Sequence, residues 1–189
     1  MLEELIQQDK ELFLFLNGLG TQVWDGLWLI ITNKFSAIPL YALLLFLVYK
    51  HLGAKHTLVI LIFVALLITA TDQLANFFKY GVQRLRPCYD EEINTMVRLV
   101  KKSCGGKFGY FSAHASNAMA LASFFSVILG SRIKYISIFL IIWAVLVGYS
   151  RIYIGVHFPL DVATGMVIGA VFGWLFAKLA IFAFQKFGP

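Results

Sequence analysis

Between two long apolar runs, the twelve residues Ser150 to Asp161 (SRIYIGVHFPLD) carry a fixed cation, Arg151, an imidazole, His157, and a carboxylate, Asp161. Charge at such a depth is costly and needs a reason. If a helix starts at Val156, His157 and Asp161 are four residues apart on one face. The carboxylate then holds one imidazole nitrogen and leaves the other free to attack or to ligate. The plainer reading is an ion pair at a membrane interface.

Two more clusters widen the inventory. KYGVQRLRP, Lys79 to Pro87, holds Lys79 and Arg86 ahead of a proline that stops any helix, and YFSAH, Tyr110 to His114, holds Ser112, Ala113 and His114. Lys79, Arg86 and Arg151 can surround a tetrahedral dianion, the arginines through planar two-point contacts and the lysine as a point charge. Such a set suits phosphoryl transfer, where catalysis is mostly positioning and stabilisation of charge on the equatorial oxygens. Helix starts at Ser112 and near His157 aim free N–H groups at the same guest. His157, oriented by Asp161, would attack phosphorus; His114 would protonate the leaving oxygen and later draw a proton from water. Each residue also has a plain structural use: Ser112 as the N-cap of a helix, Lys79 and Arg151 as interfacial snorkellers, His114 as a satisfied polar group at a helix start. Two histidines and one carboxylate beside three cations would repel a divalent metal, so neither a metal nor a cofactor is expected.

These residues need a scaffold, and composition says which. The chain has 189 residues, 60% hydrophobic and 14% charged, with a mean hydropathy of +0.79. About half apolar is usual for soluble domains. Apolar runs recur at Phe35 to Tyr49, Thr57 to Thr71, Phe108 to Ser131, Tyr135 to Ser150 and Val162 to Ala177. With their flanks, such runs can cross a hydrocarbon core of roughly 30 Å. The expected fold is an all-α integral membrane bundle of five spans. Gly165, Gly169 and Gly173 set a small stripe on one face of the last helix for close packing in lipid. Residues 1–33 read as a separate unit of interfacial helices: an amphipathic stretch, a break at Asn17, Gly18 and Gly20, then a segment with Trp24 and Trp28. Insertion of part of this stretch, giving six spans, is the alternative. Residues 34–189 form the main domain, with a long loop over 80–111. Nothing resembles a cleavable signal peptide.

Alternating the five helices brings the ends near Lys79, Ser112, Arg151 and His157 to one side of the membrane. The opposite side receives Lys50, Lys55, Arg132, Lys134, Lys178 and Lys186, with none of the ten acidic residues. Short loops rich in Lys and Arg stay in the cytoplasm, so the site should face outward, toward the periplasm or exterior of a cytoplasmic (inner) membrane. The net charge of +6 is read by membrane side and not as a nucleic-acid footprint. The two cysteines, Cys88 and Cys104, share the outward loop, where a disulfide is plausible and two free thiols the alternative.

At these positions the chain resembles the type 2 phosphatidic acid phosphatase family, whose fold and motifs are shared with vanadium haloperoxidases. The first family motif, lysine, six residues, Arg-Pro, is met by Lys79, Arg86 and Pro87. The second, Pro-Ser-Gly-His, is met in part by Phe111, Ser112, Ala113 and His114. The third, Ser-Arg, five residues, His, three residues, Asp, is met in full by Ser150, Arg151, His157 and Asp161. The resemblance covers about Phe35 to the C-terminus. It implies a phosphohistidine at His157 partnered by Asp161, His114 as general acid, a phosphoryl group bound by Lys79, Arg86, Ser112, Ala113 and Arg151, and no metal. Alanine at 113 retains the backbone N–H that would meet phosphate.

The leading expectation is a membrane lipid phosphatase acting on undecaprenyl diphosphate, a lipid A phosphate or phosphatidylglycerol phosphate. A non-catalytic transporter or scaffold with an anion pocket is the alternative, and a haloperoxidase would hold vanadate in the same pocket but belongs to a soluble class.

Overall fold

The computed structural model describes residues 1–187, the last without its side chain. Six α-helices follow one another: α1 (Leu2–Gly18), α2 (Gln22–Thr32), α3 (Ile38–Val82), α4 (Ala113–Leu129), α5 (Ile136–Tyr153) and α6 (Pro159–Phe187), with a short 3-10 turn at Pro87–Tyr89. Among the described residues the only β-type pairing is an isolated bridge between Leu85 and Phe108. The all-α membrane bundle expected from composition is therefore what forms.

The first two expected spans are the two arms of α3, which is interrupted at Gly53, whose φ of 80° and ψ of 174° are non-helical. A left-handed φ at this point is open to glycine at little cost. The chain doubles back there. Tyr41 on the first arm and Ile68 on the second line the same cavity, although a straight helix would hold residues 27 positions apart about 40 Å from each other. Leu44 and Val48 likewise share one apolar core with Ile60 and Leu67.

By length and apolarity, α3, α5 and α6 can each cross a membrane. Their outward faces fit lipid: Phe46, Ile62, Ile142 and Val171 are all more than half exposed. Helix α4 differs. Its 17 residues reach only about 25 Å, but most of them, Phe124, Phe125 and Leu129 included, are buried. A helix apolar all round belongs inside a bundle, and the others wrap α4.

Helix α6 packs along α4 backbone to backbone. A side chain at Gly165 would bring its Cβ within 2.6 Å of the Ser112 carbonyl oxygen, and at Gly169 and Gly173 it would collide with the carbonyls of Ser116 and Ala120. The small stripe read from the sequence is this contact. Its register, 165 on 112, 169 on 116 and 173 on 120, makes α4 and α6 parallel. Their N-termini therefore meet at one end, where Ser112 N–H donates to the Asp161 carbonyl at 2.9 Å.

Helices α1 and α2 close that end of the bundle. Asn17 Nδ2 donates to the carbonyls of Arg98, Ile152 and Tyr153, and Asn17 Oδ1 accepts from Arg98 N–H. One side chain thus binds the C-terminus of α5 to the long loop. Arg98 is in turn held by both oxygens of Asp25 at 2.6 and 2.7 Å, and this guanidinium keeps the Asp25 carboxyl below its ordinary range. Cys88 and Cys104 are joined as a disulfide across 16 residues of the loop, which realises the expected pairing.

Candidate active site

A cavity of about 470 Å³ opens where the helix ends converge. Lys79, Arg86, Ala113, His114, Arg151 and His157 all line it. Five elements supply them: the end of α3, the loop after it, the start of α4, the end of α5 and the turn before α6. Residues up to 78 positions apart in the chain thus share one wall.

Both arginines are fixed by local structure. Arg86 donates through Nε to the Phe108 carbonyl at 3.2 Å and through Nη1 to the Cys104 carbonyl at 2.7 Å. Arg151 is 5% exposed and donates to Thr32 Oγ1 at 2.5 Å, while its Nε is buried with no partner among the described residues. A buried guanidinium N–H without a protein acceptor can be satisfied by an anion.

His157 lies outside α6, which begins at Pro159. A helix start at Val156 was the sequence expectation. Proline's fixed φ suits the first helical position and places the boundary three residues later. The relationship to Asp161 survives in another form. Asp161, in the first turn, reaches back to accept from Phe158 N–H at 3.1 Å, as an acidic residue does in a capping box. The same oxygen, Oδ2, stands 3.5 Å from His157 Nδ1. That is a long contact, and such catalytic pairs often tighten only once substrate is bound. Burial, with Arg151, Arg86 and Lys79 nearby, pushes the His157 imidazole well below its ordinary value. It is thus neutral near pH 7, as a nucleophile must be.

Ser112 and Asp161 are fully buried and stand behind the cavity wall. Ser112 is the N-cap of α4, its Oγ accepting from Ala115 N–H at 3.5 Å, while Ala113 lines the cavity. Ala113 and His114 of the α4 start, and not Ser112, line the cavity in this structure.

Three features escaped the sequence reading. Arg84, inside the six-residue spacer of the first motif, donates from Nη1 to Asp161 Oδ1 at 2.9 Å and from Nη2 to Asp9 Oδ2 at 2.5 Å, and lies 4.3 Å above the Phe158 ring. Asp9 Oδ1 accepts from Leu160 N–H at 2.9 Å. Phe158 cannot cap the helix that follows, so α1 supplies the acceptor from a distance. Gly109 is the third: a Cβ there would meet Arg86 Cγ at 3.0 Å and Asp161 Oδ2 at 3.2 Å. The signal for Asp9 was its spacing, since Asp9, Phe13 and Asn17 recur every four residues and form the buried face of α1.

A sequence model of the PAP2 superfamily matches residues 57–184. The chain belongs to the PAP2 superfamily. It is 38% identical over 182 residues to a lipid A 4'-phosphatase of Bacteroides thetaiotaomicron, covering 95% of this chain and 80% of that protein. It is 32% identical over 180 residues to an undecaprenyl-diphosphatase of Sulfolobus acidocaldarius, covering 94% and 81%. Among solved structures, Aquifex aeolicus LpxE superposes with a TM-score of 0.66 at 26% identity, covering 89% of this chain and 93% of that one. The PAP2-type phosphatidylglycerolphosphate phosphatase of Bacillus subtilis shares the fold, with a TM-score of 0.74 at 20% identity over 97% and 89%. This PAP2 member is thus a multi-pass membrane protein, and its Asp9 lies ahead of the segment the family model matches.

Proposed function

We propose that the chain is a membrane lipid phosphatase that hydrolyses a lipid phosphoric ester through a phosphohistidine at His157. The observation that carries this is the single cavity in which Lys79, Arg86 and Arg151 stand with His114 and His157 at one end of a membrane bundle. Nδ1 of His157 faces Asp161, which leaves Nε2 to attack phosphorus. The bond from phosphorus to the lipid alcohol oxygen breaks, and His114 gives that oxygen a proton. Water then attacks the phosphohistidine while His114 takes its proton, and inorganic phosphate leaves. The three cations and the α4 N-terminus stabilise the charge on the equatorial oxygens.

Of the substrates in view, a lipid A phosphate comes first, because the relative at 38% identity is a lipid A 4'-phosphatase and a Porphyromonas gingivalis enzyme of the same name is 36% identical. Undecaprenyl diphosphate is the second reading, favoured by the similarity to an undecaprenyl-diphosphatase; the bond broken would then be the phosphoanhydride, and a prenyl phosphate would leave. The site faces outward from the cytoplasmic membrane. The disulfide at the site end and the Lys and Arg residues at the other end support that orientation. Helices α1 and α2 rest in the interface, in keeping with exposed Leu2, Leu5 and Trp24.

The test is phosphate release from lipid A and from undecaprenyl diphosphate by wild type and His157→Ala, with chelator present. Wild type should release phosphate and the variant should not; equal release by the two proteins would sink the mechanism.

A further inference from the structure

Asp72 sits within a membrane-spanning helix and on the wall of a cavity whose other fixed charges, Lys34, Lys79, Arg86 and Arg151, are positive. An ionised carboxylate only accepts hydrogen bonds and repels a phosphate dianion. Its presence beside a phosphate pocket therefore needs a cause other than phosphate, since an acid within a span is costly unless it has a task.

The side chain is oriented by its neighbours. Asp72 Oδ1 accepts from Asn117 Nδ2 at 2.9 Å, and Asn117 Oδ1 accepts from Thr71 Oγ1 at 2.5 Å. Asp72 Oδ2 has no hydrogen-bond partner among the described residues, so one acceptor is held ready. Its location is equally informative. Asp72 precedes Lys79 by two turns on α3, about 10 Å deeper into the bundle, and Asn117 follows His114 by one turn on the same face of α4. Both are displaced in the same direction from the phosphate-binding cations. With His114 protonating the leaving oxygen, that direction is where the alcohol part of the substrate lies.

We propose that Asp72, aligned by Asn117, is a subsite for the leaving alcohol and accepts a hydrogen bond from a hydroxyl or amide N–H of a sugar-type headgroup. The inference rests on the lipid phosphatase reading and adds a basis for choosing among lipids. A sugar headgroup supplies the missing donor. Undecaprenyl diphosphate instead releases a prenyl phosphate, whose anionic oxygens repel the carboxylate and whose chain offers no donor, and sites built to hydrogen-bond reject analogues that lack the partner.

The experiment compares the full chain in mixed micelles with Asp72→Asn and Asn117→Ala, on lipid A and on undecaprenyl diphosphate. Asp72→Asn should raise KM for lipid A by roughly tenfold or more, the size of one lost hydrogen bond to a charged group, with kcat little changed. KM for undecaprenyl diphosphate should stay level or fall. Asn117→Ala should move both values the same way by less, and it carries the test where Asp72→Asn fails to fold. Equal losses on both lipids, or no change on lipid A, would overturn the proposal by making Asp72 a general counter-charge to Lys79. Wild type that releases phosphate from neither lipid would instead remove the lipid phosphatase reading and the subsite with it.

Discussion

Arg84 Nη1 donates to Asp161 Oδ1 at 2.9 Å while Asp161 Oδ2 faces His157 Nδ1 at 3.5 Å, so the carboxylate beside the nucleophile is fixed from behind by a cation. That cation is itself anchored to Asp9 on α1. Replacing Arg84 by Gln leaves two buried carboxylates, Asp9 and Asp161, without the cation that bridges them. The cost in stability should be about 3 kcal/mol, in the range for breaking a buried pair by removing one partner. Loss of alignment should lower kcat by roughly 10- to 100-fold with KM little altered. Arg84→Lys, which retains charge but not the two-point grip, should recover part of the stability and less of the kcat. Thermal unfolding in detergent and steady-state kinetics check both, and an unchanged kcat in Arg84→Gln would remove Arg84 from the site.

A general acid matters most when the leaving group is poor. His114 lines the cavity and begins α4 at the phosphate end. His114→Ala should therefore lose roughly 10² to 10⁴ in kcat on a lipid alkyl phosphate. On p-nitrophenyl phosphate, whose leaving group needs no proton, the initial burst of nitrophenol should keep its rate, while turnover falls and phosphoenzyme accumulates because hydrolysis of the phosphohistidine lacks its base. A burst on p-nitrophenyl phosphate slowed as much as phosphorylation by the lipid phosphate would assign His114 to phosphate binding.

The convergence of Lys79, Arg86, His114, Arg151 and His157 was legible from the sequence because helix ends alternate sides in a bundle, whatever the details of packing. The small stripe at Gly165, Gly169 and Gly173 was legible for a similar reason, since its spacing matches a helix face. What escaped depends on contacts between distant segments. Asp9 is one acid among several on a helix with charge on many sides, and only docking of α1 shows that it caps α6. Arg84 looked like one more basic residue of a loop. Thr32, which holds Arg151, ends a helix read as interfacial and remote from the site. Asp72 could have been found, because an acid within an apolar span is itself a signal. The start of α6 was misplaced because a spacing of four fits a helix, whereas Pro159 sets the boundary.

The disulfide bears on the site as well as on the loop. Cys104 contributes to it through its sulfur and holds Arg86 through its carbonyl at 2.7 Å. Closing a loop of about 15 residues contributes on the order of 3 kcal/mol. Cys88→Ser with Cys104→Ser should lower the unfolding temperature and raise KM for a lipid phosphate several-fold, while kcat falls less. If KM is unchanged in the double variant, Arg86 is held by the remaining loop contacts alone.

The pH dependence of His157 has a definite sign. Attack requires the neutral imidazole, and burial with Arg151, Arg86 and Lys79 nearby lowers the pH at which it protonates. The neutral form should thus persist below the ordinary histidine value of about 6.5. Substrate phosphate also titrates near pH 6, so an activity profile alone would mix two ionisations. Carbethoxylation of His157 by diethyl pyrocarbonate, followed by peptide mass spectrometry, reads the neutral imidazole without substrate. Its midpoint should lie below pH 6.5 in the wild type and move upward in Lys79→Gln, because one cation that disfavours the imidazolium has been removed. A wild-type midpoint at or above 6.5 would mean that substrate, and not the empty pocket, sets the charge of the nucleophile.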